Sequence, residues 1–146
     1  MKRVSRPPRY WEAYRARREF GRMREARLVD VLRDFLSNGR HRPPWMQSAE
    51  LGTDHQDFEG IDVVVKTDVG DLFIQVKSSE RFKYLFVAKG RKQWKTGRAV
   101  PIVGIVIVND GRTDREILSE ALSEINRVRQ IVQLQGSNYL PARKPA

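Results

Sequence analysis

Three polar side chains, Asp62, Gln75 and Lys77, stand in two stretches built otherwise mostly of valine, isoleucine, leucine and phenylalanine. Gly60-Ile61-Asp62-Val63-Val64-Val65 and Leu72-Phe73-Ile74-Gln75-Val76-Lys77-Ser78-Ser79 read as the two strands of a hairpin. If Lys66 faces Asp71 across the turn from Thr67 to Gly70, then Val64 faces Phe73 and Asp62 faces Gln75. Directly opposed residues on one face have Cβ atoms roughly 5 Å apart. Lys77 lies two residues beyond Gln75 and shares its face. One acid, one amide oxygen and one ammonium therefore converge, a set that suits a divalent metal and a phosphate. Ile61, Val63 and Val65, with Leu72, Ile74 and Val76, form the opposite, apolar face and are expected to meet the core. The alternative is a solvent-facing hairpin surface on which Asp and Lys pair across strands.

The charge is segregated around this hairpin. The chain has 146 residues and a net charge of +10. Residues 1–42 carry 13 basic and 5 acidic side chains, residues 43–80 carry 2 and 8, and residues 81–98 carry 7 and none. An acidic centre between basic arms fits a metal site inside a polyanion-binding surface, where Arg and Lys neutralise phosphates without sequence preference. The cations expected to do so are Arg15, Arg18 and Arg22 in the first arm and Lys89, Arg91, Lys92, Lys95 and Arg98 in the second. A solvated arginine-rich surface is the bland reading of the same charges. There is no cysteine, which excludes disulfides and thiolate metal sites. No apolar run approaches the roughly 18 residues that a membrane span needs. The N-terminus lacks the apolar segment of a signal peptide, so a cytoplasmic location is expected.

Elements that would position the polar set can be read along the chain. Residues 1–9, with Pro7-Pro8, read as a flexible basic arm, residues 10–136 as one domain and residues 137–146 as a loose tail. A helix is expected from Tyr10 to Leu36, with an apolar stripe of Phe20, Met23, Leu28, Val31, Leu32, Phe35 and Leu36, and a stop at Asn38-Gly39. Trp45 to Glu50 reads as a short strand and Asp54 to Glu59 as a loop. The segment from Ser79 to Gly97 reads as a basic helix, although Tyr84 to Ala88 fits a strand equally. Pro101 to Val108 is a continuous, largely β-branched run of the kind buried on both faces of a sheet. Thr113-Asp114-Arg115-Glu116 is a capping box that opens a last helix, followed by apolar residues at helical spacing to Val132.

With these elements in order, the chain resembles the PD-(D/E)XK nuclease superfamily over roughly residues 12–132, in a form similar to the Holliday-junction resolvases and restriction endonucleases. Asp62 matches the family's Asp at the start of the second strand, and Gln75-Val76-Lys77 matches its acid-x-Lys tripeptide. Glu25, in Gly21-Arg22-Met23-Arg24-Glu25, sits where archaeal Holliday-junction resolvases place a Glu on the first helix. The resemblance implies an α/β fold with an α-β-β-β-α-β core, its central mixed sheet flanked by helices. It implies Mg²⁺ or Mn²⁺ held by Asp62, Gln75, the Val76 carbonyl and Glu25, with Asp62, Gln75, Lys77 and Glu25 as the catalytic set. The activity implied is an endonuclease hydrolysing phosphodiester bonds, in DNA rather than RNA, and a homodimer would suit cutting of two strands. Gln75 replaces the family's usual acid and brings no charge, which lowers the affinity for a hard cation. A nuclease-fold nucleic-acid-binding module with weakened or no catalysis is therefore the alternative.

Other residues carry less. Asp57 reads equally as a loop residue or as a site residue, and Ser78 and Ser79 are candidates to hydrogen-bond a phosphate. His41 and His55 lack a ligand partner at useful spacing. Trp11, Trp45 and Trp94 suit the edge of a core better than stacking on bases.

Overall fold

The computed structural model describes residues 8–38 and 41–141. A mixed four-stranded sheet of order β1-β2-β3-β5 lies at the centre, flanked by helices. The chain runs α1 (Pro8–Asn38), β1 (Met46–Leu51), α2 (Asp54–Phe58), β2 (Val63–Thr67), β3 (Gly70–Lys77), α3 (Glu80–Lys95), β4 (Val100–Pro101), β5 (Val103–Ile107), α4 (Asp114–Gln135) and β6 (Tyr139–Leu140). The protein is α/β.

The β2–β3 hairpin has the register that alternation demands, with Lys66 opposite Asp71 and Val64 opposite Phe73. Gly70 takes φ +101° at the turn, a conformation that side-chain-bearing residues rarely adopt. A slip of one residue would turn Val63, Val65, Leu72 and Ile74 out of the core, and all four are at most 1% exposed. β1 pairs antiparallel with β2. β5 joins β3 in parallel, Gln75 opposite Ile105 and Lys77 opposite Ile107, and the parallel crossover runs through α3.

The main core lies between the sheet and helices α1 and α4. Leu28 and Leu32 from α1, Val63, Val65, Leu72, Ile74 and Val106 from the sheet, and Ile117, Ala121 and Ile125 from α4 are buried together. Burying a side chain of this kind is worth about 1.5–3 kcal/mol. The α1 stripe is shorter than expected. Phe20 and Met23 are 59% and 65% exposed, and burial begins at Leu28 and includes Val29. Arg27 marks the upstream limit of the seat, donating to Asp114, to the Asn109 carbonyl and to the Arg112 carbonyl.

Both sheet edges have polar groups taken by arginines and an acid. Arg33 donates to the Ala49 carbonyl and Arg42 to the Met46 carbonyl on β1. On β5 the Ile107 N–H donates to Glu120 at 2.6 Å and Arg127 donates to the Val103 carbonyl. Edges so engaged are poor templates for a further strand.

Side-chain caps fix where α2, α3 and α4 begin. Ser79 is the N-cap of α3, its hydroxyl accepting from the Phe82 N–H. Thr113 and Glu116 form the expected capping box of α4, a feature worth about 1 kcal/mol. Two expectations are corrected. Asp54–Phe58 is a short helix opened by a second capping box, Thr53 with Gln56, rather than a loop. The segment after Gly136 is not loose throughout, because Tyr139–Leu140 pair with Val100–Pro101. Residues 142–146 of the expected tail, and residues 1–7 of the expected arm, lie outside the described residues.

Candidate metal centre

Asp62 sits just before β2 and is held from three directions. Its N–H donates to the Ile74 carbonyl at 2.9 Å, and its carbonyl accepts from Gly52 at 2.8 Å. Its carboxylate Oδ2 accepts from the Val76 N–H at 2.8 Å. Gly52 is required there, since a Cβ would lie 2.5 Å from the Ile61 carbonyl oxygen. α2 then carries Asp57, and Gly60 turns the chain back toward β2 with φ +87°. On α1, Glu25 lies one turn upstream of Leu28 and Val29 and so continues the buried face to its polar end. Carboxylate oxygens of Glu25, Asp57 and Asp62 all lie within 4.8 Å of one another.

Burial and neighbouring negative charge oppose the ionisation of Asp62 and Glu25. Burial, with the charges of Glu25 and Asp57, pushes the Asp62 carboxyl up to about 8, against the opposing Val76 N–H. Burial and the Asp57 charge also raise Glu25, against the pull of its hydrogen bond with Asp62 and the charges of Arg22 and Arg24. Among the described residues, no ion pair neutralises any of the three. A bound divalent cation would offset both shifts by stabilising the ionised carboxylates.

Gln75 is 7% exposed, and its Oε1 has no hydrogen-bond partner among the described residues. A buried carbonyl left unpaired costs about 1–3 kcal/mol. The oxygen lies against Gly60, 3.7 Å from where a Cβ would stand. Lys77 is half-buried on the same face, its ammonium 4.9 Å from the centroid of the Phe86 ring. Asp57, Gln75 and Lys77 line one cleft of about 580 Å³ between α3 and the sheet. Three carboxylates and one orphaned amide oxygen are the hard donors that Mg²⁺ or Mn²⁺ takes. The donor set fits such an ion.

No family model, curated protein or solved structure matches this chain.

The remaining candidates divide. The Val76 side chain belongs to the main core, and its N–H is committed to Asp62. Ser79 is the α3 cap, and the Ser78 carbonyl accepts from Asn109 at 3.0 Å. Lys89 and Arg91 line the cleft. Lys92, Lys95 and Arg98, and Arg15, Arg18 and Arg22 on α1, are exposed. His41 is exposed, and His55 lies 2.8 Å from Glu59. Trp45 stacks beneath the Arg129 guanidinium, and the Trp94 indole donates to the Pro141 carbonyl; the Trp11 side chain lies outside the described residues. Ile61 departs from expectation. It packs with Val64 and Phe73 on the α3 side, not in the main core. It precedes the β2 ladder, so strict alternation does not govern it.

Tyr139 joins the site without a signal in its local sequence. Its hydroxyl donates to Glu59 at 2.6 Å, which pushes the phenol up to about 12, and its ring packs edge-on against Phe73. The bond ties the C-terminal strand to the turn that follows Asp57. Gly52 and Gly60, which bracket the acidic segment between them, are the legible hint that this stretch has a constrained backbone.

Proposed function

We propose that the protein is a metal-dependent nuclease that hydrolyses phosphodiester bonds of nucleic acid, DNA in preference to RNA. One observation carries the reading: Glu25, Asp57 and Asp62 converge from three separate elements, and Asp57 shares the lining of one cleft with Lys77 and with Gln75, whose oxygen is orphaned. Leaving aside the short α2 and β4, the order α1-β1-β2-β3-α3-β5, with β5 parallel to β3, supports an α-β-β-β-α-β restriction-endonuclease-like arrangement.

Asp62, Glu25, Asp57, Gln75 and the Val76 carbonyl would hold Mg²⁺ or Mn²⁺. When bound, such an ion polarises the scissile phosphate and acidifies a water. Asp62 is fixed by its backbone and by the Val76 N–H, so its carboxylate is presented without reorganisation. Asp57 supplies the negative charge that Gln75 lacks. Lys77, free of any carboxylate partner among the described residues, offers its ammonium to the phosphate oxygens or orients the attacking water. The exposed cations of α1 and α3 give affinity through the backbone phosphates.

A second reading, a binding module without cleavage, is favoured by Gln75 and its missing charge. Cleavage of a labelled panel (duplex, single strand, four-way junction, RNA) with Mg²⁺, with Mn²⁺ and with EDTA separates the two. Cutting that requires metal and is lost in Lys77→Ala and Asp62→Ala is the expected result. Variants that cut as fast as the unaltered protein, or tight binding with no cutting under either metal, would remove the nuclease reading.

A further inference from the structure

The cleft that reaches the acidic centre is wider and more apolar than contact with a phosphate backbone requires. α3 has no buried residue, so it stands off the sheet rather than sealing it. The space of about 580 Å³ beneath it falls in the range of pockets that enclose a small organic ligand. Phe86, Val87, Trp94, Pro101, Ile105 and Leu140 give it apolar walls. Lys77 stands at its polar end with Asp57 and Gln75, and Lys89 and Arg91 lie on its α3 side. α3 as a whole carries six cations and one acid, Glu80, with Phe82, Tyr84 and Leu85 at least half exposed among them.

An apolar cleft that includes the rings of Phe86 and Trp94 and is lined also by cations is suited to a base whose phosphates stay outside on the rim. A paired base in a stacked duplex cannot reach into such a cleft; an unpaired one can. Resting on the nucleic-acid reading of the site, we propose that the cleft takes one unpaired base next to the scissile phosphate. The preferred substrate is therefore a single-stranded segment, whether free or at a fork or flap. Phosphates on either side lie along Lys89, Arg91 and the outer cations of α3, and the base stacks against Phe86.

Gly90 supplies the test. It lines the cleft from the middle of α3, and nothing lies within 4 Å of where its Cβ would be. A Cβ at Gly90 therefore meets nothing, so Gly90→Leu adds bulk at the cleft lining, and it favours the helix. Binding is measured in EDTA by fluorescence anisotropy, on a 2-aminopurine-labelled single strand and on a duplex of equal length. The single strand is expected to bind about tenfold tighter than the duplex, with a change in 2-aminopurine emission on binding, and Gly90→Leu is expected to lose about that tenfold for the single strand alone. Phe86→Ala should weaken the single strand in the same selective way. Equal or tighter binding of the duplex, or a Gly90→Leu protein unchanged on the single strand, overturns the proposal. A mononucleotide that competes as well as the oligonucleotide also overturns it and assigns the cleft to a free nucleotide. Because no metal is present, the result stands apart from cleavage: single-strand preference without cutting removes only the nuclease, and cutting of duplex without preference removes only the cleft proposal.

Discussion

The two faces of the sheet are built for different ends. On the α1 and α4 side, Leu28, Leu32, Val63, Val65, Leu72, Val106, Ile117 and Ile125 have no exposed surface, and the sequence there is apolar wherever the period requires it. On the α3 side, among the described residues, the buried cluster is Ile61, Val64 and Phe73, covered in part by Val103 and Tyr139. There Gln75 and Lys77 interrupt the apolar pattern and line the cleft, and Gln75 leaves its oxygen unpaired. A sheet stabilised thoroughly from one side can hold costly polar groups on the other. Local departures from sequence rules of this kind collect at functional sites.

The comparison is broken most directly from the stable side. Leu32→Ala, at a residue with no exposed surface, should cost about 2–5 kcal/mol in chemical denaturation. Tyr84→Ala on α3, where the residue is 73% exposed, should stay within about 0.5 kcal/mol. Comparable losses in the two variants would mean that α3 is packed as firmly as α1.

The acidic centre gives the next effect. A carboxyl raised to about 8 in the fold, against an ordinary value of 3.8, holds a proton that the unfolded chain has already released. Its stabilisation is fully present below pH 3.8 and is lost as pH rises through about 8. Without metal, stability should therefore fall between these limits, by at most about 1.4 kcal/mol per pH unit for one proton. The raised Glu25 acts in the same direction. Asp62→Asn should flatten the slope and exceed the unaltered protein in stability at pH 8. Mg²⁺ or Mn²⁺ should raise the melting temperature more at pH 8 than at pH 5. Melting curves across pH, with and without metal, decide it; identical slopes in protein and variant would show that Asp62 is ionised in the metal-free fold.

The smallest effect sharpens the contrast within the α3 side. Tyr139→Phe removes the hydrogen bond to Glu59 but keeps the ring against Phe73. It should cost about 0.5–1.5 kcal/mol and weaken metal binding, measured by calorimetric titration, by loosening the turn after Asp57. An unchanged metal affinity would leave Tyr139 a purely structural tie.

Much of the fold is legible in the sequence. Hairpin register follows from alternation, because only one pairing buries Val63, Val65, Leu72 and Ile74 together. The α4 capping box follows from local chemistry, and the run Pro101–Val108 contains the strand Val103–Ile107, although Pro101 pairs in a separate sheet with Tyr139. Asp62, Gln75 and Lys77 stand out because they break an apolar pattern. The mismatches between sequence and fold share a cause. Phe20 and Met23 have the spacing of a core stripe, but spacing does not reveal where the supporting sheet ends. Asp54–Phe58 has too few residues for periodicity to speak, and β6 exists only because β4 offers it a partner.

Local order, register and the polar interruption are short-range properties, set by side-chain period, capping and turn chemistry, so the chain determined them by itself. The meeting of Glu25 and Asp57 with Asp62, the Tyr139 tie and the open space under α3 belong to residues far apart in sequence. Only packing of α1, α2 and the C-terminal strand around one end of the sheet brings them together, since no local preference encodes a distance between elements.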